Sequence, residues 1–173
     1  MTVLATAGHV DHGKSTFVNF LTNQETDKLA EEKKRGLTIN LGYTYFKNKN
    51  QTYSIVDVPG HSDFFKNTVS GFSNANVILF IIDSTQGWSK QSEEHFQAIR
   101  NLKINNIFFV LTKTDLLDSP VDKDFIEKKL KSEKLINYII EEFSYKTSDL
   151  KLFQKKIVDF FKYDSFENPN SLW

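Results

Sequence analysis

The sequence predicts an α/β fold of three layers, with a mainly parallel six-stranded sheet, one antiparallel edge strand and helices on both faces. Two observations carry this. Six apolar runs rich in β-branched and aromatic residues alternate with amphipathic segments of helix length, the pattern of a mainly parallel sheet covered on both sides. Between the second and third runs there is only KNKNQ, Lys47–Gln51. A parallel crossover needs a dozen residues or more, so this pair is an antiparallel hairpin at one edge.

In chain order, the first run, Thr2–Thr6, feeds the turn GHVDHGKS and then an amphipathic segment over Lys14–Thr22. The charged stretch EEKKR, Glu31–Arg35, precedes the second run, Ile39–Phe46, which pairs through the short link with the third, Thr52–Asp57. A helix over Phe64–Phe72 leads to the fourth run, Val77–Asp83, and a helix over Lys90–Leu102 leads to the fifth, Ile107–Thr112. Helices over Lys123–Lys131 and Leu150–Phe161 flank the sixth run, Asn137–Phe143. The spacing is that of apolar stripes with a helical period. Paired phenylalanines such as Phe64–Phe65, Phe108–Phe109 and Phe160–Phe161 read as core.

At 173 residues the chain suits one domain, 1–173. Lys+Arg and Asp+Glu both number 22, so no overall field draws it to nucleic acid or an anionic membrane. The absence of cysteine excludes disulfides and thiolate catalysis and suits a reducing compartment. No stretch reaches the roughly 20 apolar residues that span a bilayer, and the start lacks a secretory signal. We read the chain as cytoplasmic, with no membrane partner.

Gly8-His9-Val10-Asp11-His12-Gly13-Lys14-Ser15 fits G-x-x-x-x-G-K-[ST] between a strand and a helix, the context that the motif requires. Glycines let the loop turn its N–H groups inward at a helix N-terminus, where an anion is stabilised. Residues Gly8 to Thr16 are therefore the expected phosphate contacts, with Lys14 on the β- and γ-phosphates and the Ser15 hydroxyl on Mg²⁺. His9 and His12 lack the further ligands that zinc would need.

Three later stretches specify the nucleotide. DVPGH, Asp57–His61, stands at the end of the third strand, where ligands of open sheets collect. Asp57 can hold Mg²⁺ through water, and Gly60 can bring its N–H to a γ-phosphate. RGLTI, Arg35–Ile39, offers Thr38 as a second hydroxyl ligand for Mg²⁺, which turns the charged run before it into part of a nucleotide-sensing switch. TKTD, Thr112–Asp115, follows the fifth strand. The Asp115 carboxylate can accept from guanine N1–H and N2–H₂, whereas adenine leaves it facing an acceptor. Lys113 can lay its methylenes along the base, and Thr112 can brace the phosphate loop. Ser144-Tyr145-Lys146, after the sixth strand, can present backbone N–H groups to guanine O6. The site implies GTP or GDP with Mg²⁺, and the fold is that of a P-loop GTPase. A GTP-sensing module with vestigial hydrolysis and a P-loop ATPase of another class are the competing readings.

These residues resemble the translational GTPases, in particular the G domain of the selenocysteine-specific elongation factors, the SelB family. GHVDHGKS and DVPGH are shared across relatives of elongation factor Tu. EEKKRGLTINLGY, Glu31–Tyr43, GWSKQSEEH, Gly87–His95, and a T-K-x-D where elongation factor Tu begins with Asn point to SelB. Asn40 departs from the Asp common in SelB relatives, and Tyr145 from the small residue usual after the serine. The resemblance implies GTP hydrolysis that is slow without the ribosome, with His61 orienting the attacking water alongside Lys14, Thr38 and Gly60. It leaves Asp11 as a candidate contact for a monovalent cation. It also implies that the chain is an N-terminal fragment of a longer factor that delivers selenocysteinyl-tRNA. By itself the fragment is expected to be monomeric with little nucleic-acid affinity. His95 is expected to be structural.

Overall fold

The computed structural model describes residues 2–24, 37–133 and 137–167. The strands are β1 (Thr2–Ala7), β2 (Gly42–Asn48), β3 (Gln51–Asp57), β4 (Val77–Asp83), β5 (Asn106–Thr112) and β6 (Asn137–Glu142). They form one sheet in the order β2-β3-β1-β4-β5-β6. All neighbours are parallel except β2 and β3. The helices are α1 (Lys14–Thr22), α2 (Phe65–Phe72), α3 (Lys90–Asn101), α4 (Asp124–Ser132) and α5 (Leu150–Glu167). The expected α/β fold with one antiparallel edge strand is the observed one.

Strand β4 shows why a run without alternation is a strand here. All seven of its residues are buried. Leu79 and Ile81 pack with Phe17, Val18 and Leu21 of α1 and with Phe153 and Ile157 of α5. Ile78, Phe80 and Ile82 face the other way, onto Phe72 of α2, Phe96 and Ile99 of α3, and Ile126 and Leu130 of α4. Burial on both faces removes the polar alternation of a half-exposed strand.

Boundaries shift where pairing, not composition, decides them. β2 begins at Gly42 rather than Ile39 because the ladder ends where Gly42 faces Asp57, the last residue of β3, and the Ile39 carbonyl instead accepts from Asn67 Nδ2 at 3.2 Å. The ladder instead runs on to Asn48 and Gln51, leaving Lys49 and Asn50 as the turn, with Lys49 at φ 53°. The helix expected from Phe64 opens as a 3₁₀ turn over Ser62–Phe64 and becomes α-helical at Phe65. The last helix extends past Phe161 to Glu167. Glu31–Arg35 and residues 168–173 lie outside the described residues.

The two ends of the sheet are built differently. At the strand starts, Asn76 Oδ1 accepts from Val3 N–H at 2.9 Å, and Asn137 Nδ2 donates to Asn106 Oδ1 at 2.6 Å. Asn106 Nδ2 also reaches the Asn76 carbonyl at 3.4 Å, so these amides bind the strand starts together. At the other end, β1, β3, β4, β5 and β6 all present their C-terminal residues, the edge where open α/β sheets collect ligands. Because β2 runs the opposite way, its N-terminal approach, residues 37–41, arrives at that same edge.

Candidate nucleotide-binding site

The turn after β1 needs backbone that ordinary residues avoid. Gly8 has φ 125°, and a Cβ there would collide with the Ile81 carbonyl oxygen. Gly13, at φ 89°, opens α1. Asp11 also has positive φ, at 64°, a conformation that aspartate tolerates better than most residues. Lys14 is only 6 % exposed, and its Nζ donates to the His9 carbonyl at 2.8 Å. Val10, Asp11, Gly13, Lys14, Ser15, Thr16, Leu37, Thr38 and Gly60 line a recess of about 140 Å³.

Thr38 and Ser15, 23 positions apart in sequence, meet with hydroxyl oxygens 3.0 Å apart. Two neighbouring ligands of an octahedral Mg²⁺, each at about 2.1 Å, lie about 3.0 Å from one another, so the pair fits that ion. Asp57 is fully buried, and its Oδ1 accepts from Thr6 Oγ1 at 2.8 Å. Thr6 Oγ1 in turn accepts from Val58 N–H at 2.9 Å. This chain of bonds fixes the orientation of the carboxylate at the end of β3. Gly60 is pressed against the phosphate loop. A Cβ on it would lie 2.6 Å from the Val10 nitrogen and would also meet the Lys14 ammonium.

His61 is not among the residues lining the recess. Its Nδ1 accepts from Asp63 N–H at 3.2 Å and lies 3.4 Å from Asp63 Oδ2. In a neutral ring this acceptor role puts the proton on Nε2. His9 and His12 pack edge to face, with centroids 4.9 Å apart. The His12 ring is fully buried beneath the loop, and burial, with His9 and Lys14 nearby, lowers its pKa to about 4. The His12 carbonyl accepts from Thr112 Oγ1 at 2.8 Å.

At the end of β5, Lys113 has φ 57° and reaches back, its Nζ donating to the Asp11 carbonyl at 3.1 Å and pairing with Asp83 Oδ2 at 2.6 Å. Asp115 Oδ2 lies 3.1 Å from Lys146 Nζ. Hydrogen bonds from Lys146 and from Ser144 hold the Asp115 carboxyl below the usual range. Thr112, Lys113, Asp115, Ser144 and Lys146 therefore gather at one corner of the strand ends. Within the Ser144 turn, Lys146 N–H is engaged with Ser144 Oγ at 3.2 Å. Tyr145 is exposed and stands edge-on to Phe20, with centroids 6.2 Å apart.

Sequence reasoning missed several residues that hold the loop. His95 Nδ1 accepts from Gly8 N–H at 3.0 Å, and Gln91 Oε1 accepts from Val10 N–H at 3.3 Å. Both side chains project from the same face of α3, four residues apart. That i, i+4 spacing of two polar groups on an otherwise buried face was the available signal. Burial pushes the His95 ring down to about 3, so it is a neutral acceptor. Leu37, Thr6 and Asp83 also went unread.

The chain is similar to known proteins in sequence and in fold. The family model "Elongation factor Tu GTP binding domain" matches residues 1–170. A selenocysteine-specific elongation factor of Haemophilus influenzae is 38 % identical over 125 residues, 72 % of this chain and 20 % of that protein. An elongation factor 1-alpha of Methanosphaera stadtmanae is 34 % identical over 185 residues, 96 % of this chain and 42 % of that protein. The crystal structure of a bacterial selenocysteine-specific elongation factor superposes with TM-score 0.86 at 34 % identity, covering 94 % of this chain and 29 % of the other. The chain thus spans less than half the length of these relatives. It belongs to the family of elongation factor Tu GTP-binding domains.

Proposed function

We propose that the domain binds GTP and GDP with Mg²⁺, hydrolyses GTP to GDP and phosphate slowly in the absence of the ribosome, and does so within a cytoplasmic factor that delivers selenocysteinyl-tRNA. The observation that carries the nucleotide and metal reading is the Ser15–Thr38 hydroxyl pair beside the Lys14 recess. Mg²⁺ bound there would offset charge on the β- and γ-phosphates.

In this reading Lys14 leaves the His9 carbonyl for the phosphates, and the N–H groups from Asp11 to Thr16 cradle them. The buried, Thr6-anchored Asp57 would help hold the metal through a water, and Gly60 would bring its N–H to the γ-phosphate. His61, released from Asp63, orients the attacking water. Its Nε2–H would make it a hydrogen-bond donor to that assembly. Phosphoryl transfer asks the protein chiefly for such positioning. Asp115 reads guanine, with Lys113 under the base and the Ser144-Tyr145-Lys146 turn near O6, and Asp11 borders any monovalent cation.

The pairing of His61 with Asp63 favours a second reading, a GTP-sensing module in which hydrolysis is vestigial. Single-turnover hydrolysis with and without ribosomes, in the longest natural form of the factor, separates the two. Stimulation of at least about 10²-fold by ribosomes supports the enzyme, and no stimulation supports the sensor. Displacement of labelled GDP by ATP would overturn both.

A further inference from the structure

We infer that Asp83 is a positioning residue for guanine recognition, acting through Lys113. The inference rests on the reading of Lys113 and Asp115 as the base site.

Asp83 ends β4, faces Thr112 in the β4–β5 ladder and is fully buried. A carboxylate there must be fully bonded, because an unpaired buried charge is costly. Its Oδ1 accepts from Thr85 N–H at 2.8 Å and from Thr85 Oγ1 at 2.7 Å. Its Oδ2 accepts from Gln86 Nε2 at 3.1 Å and pairs with Lys113 Nζ at 2.6 Å. Burial pushes the Asp83 carboxyl upward, but the bonds from Lys113 and Thr85 outweigh it and leave it below the usual range. Asp83 is therefore a fixed anion whose strongest partner is the lysine of the base motif.

The geometry explains how one carboxylate serves recognition without touching the base. A lysine stem is flexible, and a base stacking on a free stem must immobilise it at a cost in rotamer entropy. Here the ammonium is already tied at both sides, to Asp83 and to the Asp11 carbonyl. The methylenes are thereby held as a surface before any nucleotide arrives. The same ammonium joins the end of β4 to the phosphate loop, so Asp83 also braces the loop from the base side. Lys113 takes this path from a backbone at φ 57°, its ammonium lying between Asp83 and the Asp11 carbonyl.

The test is displacement of a fluorescent GDP analogue by GDP and by ADP from the 173-residue chain, for wild type, Asp83→Asn, Lys113→Met and the double variant. Asp83→Asn should weaken GDP binding by about tenfold or more, the scale of a lost hydrogen bond to a charged group. In the Lys113→Met background the same change should cost no more than about twofold. Thermal unfolding adds a sign that a scaffold role would not give. Lys113→Met strands the buried carboxylate, so adding Asp83→Asn should raise the midpoint of that variant rather than lower it further. Should Asp83→Asn fail to fold, Thr85→Val removes one bond to the carboxylate and should weaken GDP binding severalfold, again only when Lys113 is present.

GDP binding of Asp83→Asn within about twofold of wild type, or an equal loss with and without Lys113, would overturn the inference while leaving the base site intact. Equal binding of GDP and ADP by wild type would overturn the base-site reading itself, and this inference with it.

Discussion

The Nδ1 atom of His95 accepts the N–H of Gly8 at 3.0 Å across 87 residues of sequence. The bond exists only for a neutral ring, and burial keeps it neutral by lowering the His95 pKa to about 3, as it lowers that of His12 to about 4. In the unfolded chain both rings have ordinary values near 6.5. Between those limits the unfolded chain holds more protons, so stability falls as pH drops below about 6.5 and continues to fall to about 4 for His12 and about 3 for His95. Each histidine should contribute a slope of up to about 1.4 kcal/mol per pH unit. Urea unfolding between about pH 6.5 and 5, ahead of most carboxylate titration, measures it. His95→Gln should remove about half of the slope assigned to the two rings, and an unchanged slope would place the proton uptake elsewhere.

Lys14→Ala should abolish tight binding of both GDP and GTP, because the lysine meets the β-phosphate common to both. The substitution also removes the bond to the His9 carbonyl, so circular dichroism must accompany the binding measurement. Retained GDP affinity in a folded variant would sink the assignment of the recess.

His61→Ala should leave GDP and GTP affinity within a few fold while lowering ribosome-stimulated hydrolysis by about 10²-fold or more, the scale of a lost positioning group. The absence of His61 from the recess lining is the reason affinity should survive. If affinity and hydrolysis fall together, His61 is structural.

Asp115→Asn should convert guanine preference to xanthine preference. Guanine offers two donors to the carboxylate, whereas xanthine offers one donor and one acceptor, which matches an amide. A mismatched pair leaves a donor or an acceptor without its partner at the base, so each preference should move by about tenfold or more. Competition of GDP and XDP against a fluorescent nucleotide reads it. A variant that still prefers GDP would remove Asp115 from the base contact.

The parts of the site that were legible share one property: each is specified by neighbours in sequence. The loop from Gly8 to Ser15 declares itself through glycines at fixed offsets, and Asp115 through its distance from the end of β5. Thr38 was read from its place in RGLTI at the end of a polar segment, and the structure brings its hydroxyl to 3.0 Å from that of Ser15. His95, Gln91 and Asp83 were not readable as site residues, because each acts on a partner distant in sequence. On its own helix His95 is one more buried ring, packed near Phe65 and Phe72. Asp83 looks like the polar residue that ends an apolar strand. The start of β2 was misplaced for a related reason, since an apolar composition at Ile39 says nothing about whether a partner strand extends that far.

The reversed direction of β2 has a mechanical consequence. An edge strand pairs with one neighbour only, and here the end nearest the Gly8–Ser15 loop is the pair Gly42–Asp57, with the Lys49 turn at the far end. A displacement of Thr38 away from the face of β3 would therefore load the Gly42–Asp57 rung first and open the ladder from the site outward. Of the five parallel strands only β3 bears that load directly, because β2 touches the sheet through β3 alone. The domain thus has a peelable margin along an otherwise parallel sheet, and Thr38, the proposed metal contact, lies in the segment that leads into its first rung.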